Sequence, residues 1–187
     1  MCKPSLLLHI CCGPCAAHAV EAVRSAYDIT GFFSNSNIHP AREYHRRLAE
    51  ARKLAGLACI SLVEDAYCHE EWRAAARGLE DEPERGRRCA VCFRFSLART
   101  ARYAVDHGFD RFTSTLTISP HKNSAMIFEI GRSLGPFLDV DFKKQDGFRK
   151  SVALSHAYGL YRQNYCGCEF SFHEPAPQPG PTHVTPL

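Results

Sequence analysis

"SLLLHICCGPCAAHAV" (residues 5–20) joins an unbroken apolar run to an alanine-rich stretch. The run at residues 5–10 is typical of a strand that is buried on both faces of a parallel sheet. Gly13 permits a tight turn and Pro14 suits the first turn of a helix, so a helix is predicted to follow. The turn between the two elements holds three thiols: Cys11, Cys12 and Cys15.

Apolar runs and helical patterns alternate along the rest of the chain. Further strands are predicted at residues 29–34, 60–63, 109–117 and 137–142. Helices are predicted at residues 16–27, 40–55, 69–79, 89–107, 123–134 and 148–158. Strand–helix alternation of this kind predicts an α/β fold, a three-layer sandwich with a mostly parallel, five-stranded Rossmann-like sheet.

Length and composition are those of an ordinary soluble globular protein, with 187 residues, 45% apolar and 23% charged. We expect a single α/β catalytic domain at residues 1–172. Residues 173–187 hold five prolines in fifteen positions and few groups to bury, so a disordered tail is expected there. The net charge of +3 permits a nucleic-acid partner without requiring one.

Cysteine usage points to metal or redox chemistry. No apolar run reaches the length of about 18 residues that a membrane span needs, and the first apolar run is too short for a signal peptide. We therefore expect a cytoplasmic protein with no membrane partner, in which thiols stay reduced. Of ten cysteines, seven fall in three tight groups. The first group is Cys11, Cys12 and Cys15, the second is Cys89 and Cys92, and the third is Cys166 and Cys168. Of the isolated cysteines, Cys59 is expected to serve packing.

The three cysteine groups leave several chemistries open. Neighbouring side chains diverge, so Cys11 and Cys12 are not expected to hold one small ion together. They could hold two irons of one cluster, or one of them could serve a neighbouring metal. A structural zinc or RNA-binding module and a thiol–disulfide oxidoreductase are the alternatives to an iron–sulfur protein.

The position of the first group favours a functional site. Ligands of open α/β sheets bind beyond the carboxyl ends of the strands, where the strand order reverses. The first group follows the first strand, and Cys89 and Cys92 open a predicted helix. Helix N-termini favour thiolates, because their amide dipoles stabilise negative charge.

Six segments resemble the cobalamin-independent epoxyqueuosine reductases, the QueH family. They are LLLHICCGPCA, SNIHPAREYHRRL, GLEDEPERGRRCAVCFRFSLARTA, FTSTLTISPHKN, DVDFKKQDGF and LYRQNYCGCEFS, and they occur in order from about Leu6 to Ser171. The resemblance implies reduction of the epoxide of epoxyqueuosine in a tRNA anticodon loop to queuosine, the last step of queuosine biosynthesis. An unidentified electron donor would be the second partner.

The resemblance also implies the cofactor and its residues. A [4Fe–4S] cluster would be bound by Cys11, Cys12, Cys89 and Cys92. Cys166 and Cys168 would be a redox-active, catalytic pair. Whether Cys15 and one of that pair instead hold a second iron or zinc ion stays open.

Further residues of the matched segments are candidates for supporting roles. His9 lies in the first strand and is expected to be a core histidine or a partner of the site. The candidate proton donors are His121, Asp141, Asp146 and Tyr165. The candidate phosphate contacts are Arg46, Arg47, Arg85, Arg87, Arg88, Lys143, Lys144, Arg149 and Lys150. The candidates for stacking on a splayed base are Phe93, Tyr161 and Tyr165.

Overall fold

The structure, a computed structural model, describes residues 3–171. Its strands are β1 Ser5–His9, β2 Asp28–Phe33, β3 Ser61–Glu64 and β4 Arg111–Ser114. Its α-helices are α1 Gly13–Val23, α2 Ala41–Ala58, α3 His69–Ala75, α4 Arg87–Asp106, α5 Ser124–Leu134 and α6 Gly147–Ala157. The predicted tail at 173–187, and with it the boundary after residue 172, lies outside the described residues.

The sheet has the strand order β3-β2-β1-β4, and every pair is parallel. β1 is central, so its leucines are fully buried: Leu6 and Leu8 pack on one side, and Leu7 packs on the other. Burial of each such leucine contributes about 1.5–3 kcal/mol. The order reverses between β1 and β4, and this places a ligand crevice beyond the carboxyl end of β1.

Helices cover both faces of the sheet, and the predicted α/β layout is therefore correct. One apolar cluster joins the sheet to α1 and α2, with α1 also packed on α6. A second cluster joins the opposite face to α4 and α5. A smaller third cluster surrounds the fully buried Trp72 of α3 and includes Cys168. None of the described helices is long and apolar enough to cross a membrane.

The prediction of a fifth strand at residues 137–142 is wrong. This segment runs beside β4 but makes only an isolated bridge, between Phe112 and Phe137. Beyond that bridge, threonine side chains replace the backbone ladder, since the hydroxyls of Thr113 and Thr117 donate to the carbonyls of Leu138 and Val140. The backbone of β4 is unable to continue the pairing because it leaves the extended conformation after Ser114.

The predicted fourth strand, at residues 109–117, is shorter than expected. It ends at Ser114, whose hydroxyl accepts a hydrogen bond from the amide of Leu116 and starts a 3-10 helix over Thr115–Ile118. This turn brings the Thr115 hydroxyl to the first cysteine group, where it accepts from the Cys11 amide at 3.1 Å. The end of β4 therefore braces the turn that follows β1.

Candidate active site

A cleft of about 920 Å³ opens beyond the carboxyl ends of β1 and β4, at the reversal of strand order. Small-molecule sites usually have volumes of about 300–1,000 Å³. All three cysteine groups reach this cleft, which is bordered by Cys11, Cys15, Cys89, Cys92, Cys166 and Cys168. The prediction that the crevice lies at this edge of the sheet is confirmed.

The first cysteine group is set by a close approach of two helices. A Cβ at Gly13 would lie 2.7 Å from the carbonyl oxygen of Glu50, so only glycine lets the start of α1 pack on α2. The Sγ atoms of Cys11 and Cys12 are 3.9 Å apart. With the Sγ of Cys15 they form a set in which all distances are within 4.8 Å, and such a set could bind a metal ion.

The expectation that Cys11 and Cys12 diverge is therefore wrong. It would hold within a regular strand, where successive side chains point to opposite faces. β1 ends at His9, and the chain turns into α1 at Gly13, so the two cysteines lie in the turn between them. Both are buried there.

The three thiols of this group share one negative charge. Hydrogen bonds from the Cys12 and Cys15 thiols lower the pKa of Cys11 well below its usual value, and the charge of Lys122 adds to this. The same contacts raise the pKa of Cys15, because its thiol donates to its neighbours. The amide of Gln163 also donates to the Cys12 sulfur, at 3.1 Å.

Cys89 and Cys92 lie in the first two turns of α4, as predicted. The Cys89 sulfur accepts a hydrogen bond from the Arg85 amide at 3.2 Å, while burial raises its pKa. Burial also raises the pKa of Cys92 to about 12, although the indole N–H of Trp72 opposes the shift. Cys89 packs against the same apolar cluster as Cys11 and Cys12, whereas Cys92 packs with Cys166 and Cys168. The second group therefore packs against the clusters that contain the other two.

Cys166 and Cys168 are free thiols in mutual hydrogen-bonding contact. The bond from the Cys168 thiol lowers the pKa of Cys166, helped by the Ser171 hydroxyl at 2.9 Å and by the Cys168 amide at 3.4 Å. The same bond raises the pKa of Cys168. The residue between them, Gly167, has a φ of 109°, which L side chains rarely adopt.

Arg47 holds this loop in place. The side chain is buried, its Nη1 and Nη2 atoms donate to the carbonyls of Cys166 and Tyr165, and its Nε pairs with Glu43 at 2.7 Å. Arg88 is buried too, and it donates to the carbonyls of Leu79 and Glu80. Both arginines border the cleft but donate to these carbonyls, and the prediction that they contact phosphates stays a prediction.

Other basic side chains remain around the cleft. Arg46 and Arg85 are exposed at its border, as is Arg42, which the sequence patterns did not single out. Arg87 is exposed outside the cleft and pairs with Glu82. The predicted contacts Lys143, Lys144, Arg149 and Lys150 do not border the cleft in the part of the chain that is described.

The aromatic candidates separate by burial. Phe93 is buried in the core cluster, although one edge reaches the cleft. Tyr161 borders the cleft, where the Arg46 guanidinium covers its ring at 3.3 Å. Phe148 also borders the cleft and is 39% exposed, a stacking surface that the sequence reasoning missed.

Two of the predicted proton donors border the cleft and two do not. His121 is exposed at its edge, with Nδ1 accepting from Arg85 at 3.2 Å. Tyr165 also borders it, and burial raises its pKa to about 12, so the phenol keeps its proton. Asp141 accepts from Ser124 and Asp146 pairs with Arg149, both outside the cleft. These aspartates are therefore wrong as candidates.

Lys122 is a cleft residue that the sequence reasoning missed. It is partly buried, and burial alone would lower its pKa, but the cysteine sulfurs around it, Cys11 foremost, raise the value. Lys122 therefore stays charged between the first and third cysteine groups. Lys122 follows the 3-10 helix in a charged and polar loop, which is typical of a solvated lysine. Its sequence context therefore gave no indication of a role in the cleft.

Two isolated predictions can be settled. His9 is fully buried and satisfied, with Nδ1 2.8 Å from the Ser114 hydroxyl and Nε2 donating to the Ser34 carbonyl, so it is the predicted core histidine. Burial lowers its pKa and keeps the ring neutral. Cys59 was expected to serve packing, but it is exposed where α2 ends.

The sequence matches one family across almost the whole described chain. Residues 6–174 fit the family model described as epoxyqueuosine reductase QueH. The chain belongs to the QueH family. The QueH epoxyqueuosine reductase of Streptococcus pyogenes serotype M1 is 44% identical over 181 residues, which cover 90% of this chain and 71% of that protein. The QueH enzyme of Thermotoga maritima is 36% identical over 178 residues, 91% of each chain.

Membership of the QueH family confirms the resemblance read from the sequence. The donor set also suits a metal cofactor, because thiolates are the ligands that iron–sulfur clusters and zinc accept. Three further observations support this fit: the cysteines border one cleft, two of the groups lie at helix N-termini, and a lysine offsets their negative charge.

Proposed function

We propose that this chain is an epoxyqueuosine reductase that converts epoxyqueuosine in tRNA to queuosine. The observation that carries the proposal is the meeting of three cysteine groups at one cleft in a chain of the QueH family. Thiols are the most reducing side chains that a protein has, and a reductase needs a source of electrons beside its substrate. A cleft of about 920 Å³ is large enough for a nucleoside.

The reaction needs two electrons and two protons. Both carbon–oxygen bonds of the epoxide break, a carbon–carbon double bond forms, and the oxygen leaves as water. Oxidation of the Cys166 thiolate and the Cys168 thiol to a disulfide releases two electrons and one proton, so this pair supplies the electrons of one turnover and the second proton comes from the solvent. An external electron donor must then reduce the disulfide again. The contact between the two thiols supports this role, as does the thiolate character of Cys166.

Cys11, Cys12, Cys89 and Cys92 are the proposed ligands of a [4Fe–4S] cluster, which supplies one-electron transfer when bound. Cys11 and Cys12 would hold the cluster from the turn before α1, and Cys89 and Cys92 would hold it from the start of α4. The Sγ of Cys15 lies within 4.8 Å of those of Cys11 and Cys12, and Cys15 is the proposed ligand of a second iron or zinc ion beside the cluster.

The other cleft residues bind and orient the substrate. The ammonium of Lys122 stabilises thiolates on two sides of the cleft. Exposed Arg42, Arg46 and Arg85 can meet the phosphates of an anticodon loop, and Phe148 can stack on an unpaired base. His121 and Tyr165, which border the cleft, are the proposed proton donors.

The test is a reaction under exclusion of oxygen. The protein is incubated with tRNA that contains epoxyqueuosine and with a chemical reductant, and the digested nucleosides are identified by mass. Conversion to queuosine, by a brown protein that contains iron and sulfide, is the expected result. A colourless protein that binds only zinc and leaves epoxyqueuosine intact would overturn the proposal.

A further inference from the structure

Three metal-binding side chains meet outside the cleft. They are His39 in the loop after β2, His69 at the start of α3, and Glu169 in the 3-10 helix Glu169–Ser171. One ring nitrogen from each histidine and one carboxylate oxygen all lie within 4.8 Å of one another. None of the three borders the cleft, and none is used in the proposed reaction.

The hydrogen bonding of His69 leaves a buried lone pair. Its Nδ1 lies 2.8 Å from the carbonyl oxygen of Ser36, and because a carbonyl only accepts, Nδ1 carries the hydrogen. In the neutral ring Nε2 then has a free lone pair, and this atom is buried with no hydrogen-bond partner among the described residues. It faces Oε2 of Glu169 at 3.6 Å. Two electron-rich atoms therefore face each other, and a cation between them would satisfy both.

The spacing and surroundings suit a bound ion. A distance of 3.6 Å is longer than a hydrogen bond. It is close to the separation of about 3.4 Å that two ligands keep around a tetrahedral zinc with bonds of about 2.0–2.1 Å. Arg73 holds the other carboxylate oxygen at 3.1 Å and so orients Glu169. The Nδ1–H bond to a backbone carbonyl is the usual outer contact of a metal-binding histidine.

We propose that His39, His69 and Glu169 bind one divalent transition-metal ion of the class of Zn²⁺ and Fe²⁺. Two imidazoles and one carboxylate form a donor set that both ions accept. The ion joins three segments that are far apart in the chain, and one of them directly follows Cys168. The amide of His39 already donates to the Gly167 carbonyl at 2.8 Å, so the ion would fasten the Cys166–Cys168 loop at a second point.

The test compares two glutamate variants that both keep side-chain size. Glu169→Gln removes a proposed ligand, whereas Glu70→Gln removes an exposed carboxylate that also pairs with Arg73 but lies outside the triad. Each protein is produced with added zinc or with added iron, and metal ions per chain are counted. We expect Glu169→Gln to contain one ion fewer than the parent protein and Glu70→Gln to contain the same number. Equal metal content in Glu169→Gln and the parent would overturn the proposal.

Anomalous diffraction at the zinc and iron edges locates the ion. A peak between His39, His69 and Glu169, separate from any metal at the cysteines, is the expected result. Anomalous peaks at the cysteines alone, or a His69 ring that carries two protons by NMR in metal-loaded protein, would overturn the proposal. If Glu169→Gln fails to fold, His39→Gln takes its place in the same count. These measurements do not use activity, so their failure would leave the proposed reduction untouched.

Discussion

Two cysteine groups of this protein reach the same cleft by different means. Cys11 and Cys12 belong to the turn between the central strand and α1, where the packing of Gly13 on Glu50 holds the backbone. Cys166 and Cys168 lie in a loop whose position depends on side chains, above all on the two hydrogen bonds from Arg47. The first group suits a static ligand set, and the second suits a bond that forms and breaks.

The two groups are nevertheless electrostatically alike. Each holds one thiolate that its neighbouring thiols stabilise, Cys11 in the first and Cys166 in the last. The positive charge of Lys122 lowers the pKa of both. The two groups therefore differ in backbone support and not in charge. Substitutions in each group can test whether their roles also differ.

The largest effect is expected from Cys11→Ala. Loss of a thiolate from the buried group should remove bound iron and turnover together, because the remaining ligands cannot shift on a backbone that is packed on both sides. Iron and sulfide per chain and turnover without oxygen measure this, with Cys59→Ala, an exposed cysteine, as the control. Iron at the parent level in Cys11→Ala would show that Cys11 is not a ligand.

Cys168→Ala should separate turnover from iron binding. Turnover should fall by at least about 10³-fold, since the partner that closes the disulfide is gone. Iron content should stay near that of the parent, because Cys168 is not a proposed ligand. The same two assays apply, and Cys68→Ala, which removes a thiol outside the cleft, is the matched control. Loss of iron from Cys168→Ala would place Cys168 among the ligands instead.

Gly167→Ala tests how the backbone conformation of Gly167 and its contact with Arg47 support the Cys166–Cys168 loop. A φ of 109° and a Cβ 3.0 Å from Nη1 of Arg47 should cost about 1–3 kcal/mol. Since 1 kcal/mol lowers the melting temperature of a chain of this size by about 2–4 °C, thermal unfolding measures the effect. Turnover should fall while iron is retained. Gly56→Ala, in α2 with open space around the new methyl group, should not destabilise the protein.

The smallest effect concerns the pH dependence of Cys166. Its lowered pKa means that the thiolate persists below the pH at which an ordinary cysteine is protonated, so alkylation should slow only at lower pH. Ser171→Ala removes one hydrogen bond to this sulfur. The pH at which alkylation of Cys166 is half-maximal should therefore rise by about one unit. Mass spectrometry of the alkylated peptide across pH measures it. An unchanged midpoint would show that Ser171 does not stabilise the thiolate.

Much of the site was readable from local pattern. The apolar run before Cys11 predicted a buried strand, and the glycine and proline after it predicted a helix. Both predictions succeed because hydrophobic periodicity and backbone preference depend on residues that are close in the chain. The same logic placed Cys89 and Cys92 at the start of α4. Lys122 was not predicted, because its raised pKa comes from cysteine sulfurs that lie more than forty residues away in the chain.

The absence of a fifth strand at residues 137–142 and the contacts of Arg47 escaped local pattern for a related reason. Residues 137–142 have the composition of a strand, but pairing requires an extended neighbour, and β4 turns into a 3-10 helix after Ser114. Arg47 lies in a basic stretch that is typical of a solvated surface, yet its hydrogen bonds go to carbonyls that lie 118 and 119 residues away in the chain. Neither outcome is encoded within a window of ten residues.

The sequence alone determined the strand, the turn and the helix around Cys11, and it determined the family, because these follow from residue order. Only the tertiary structure decided that Cys11 and Cys12 converge, that Arg47 supports the Cys166–Cys168 loop, and that His39, His69 and Glu169 meet. Such contacts join residues up to 130 positions apart. Their distances depend on how the whole chain packs, which local preferences do not specify.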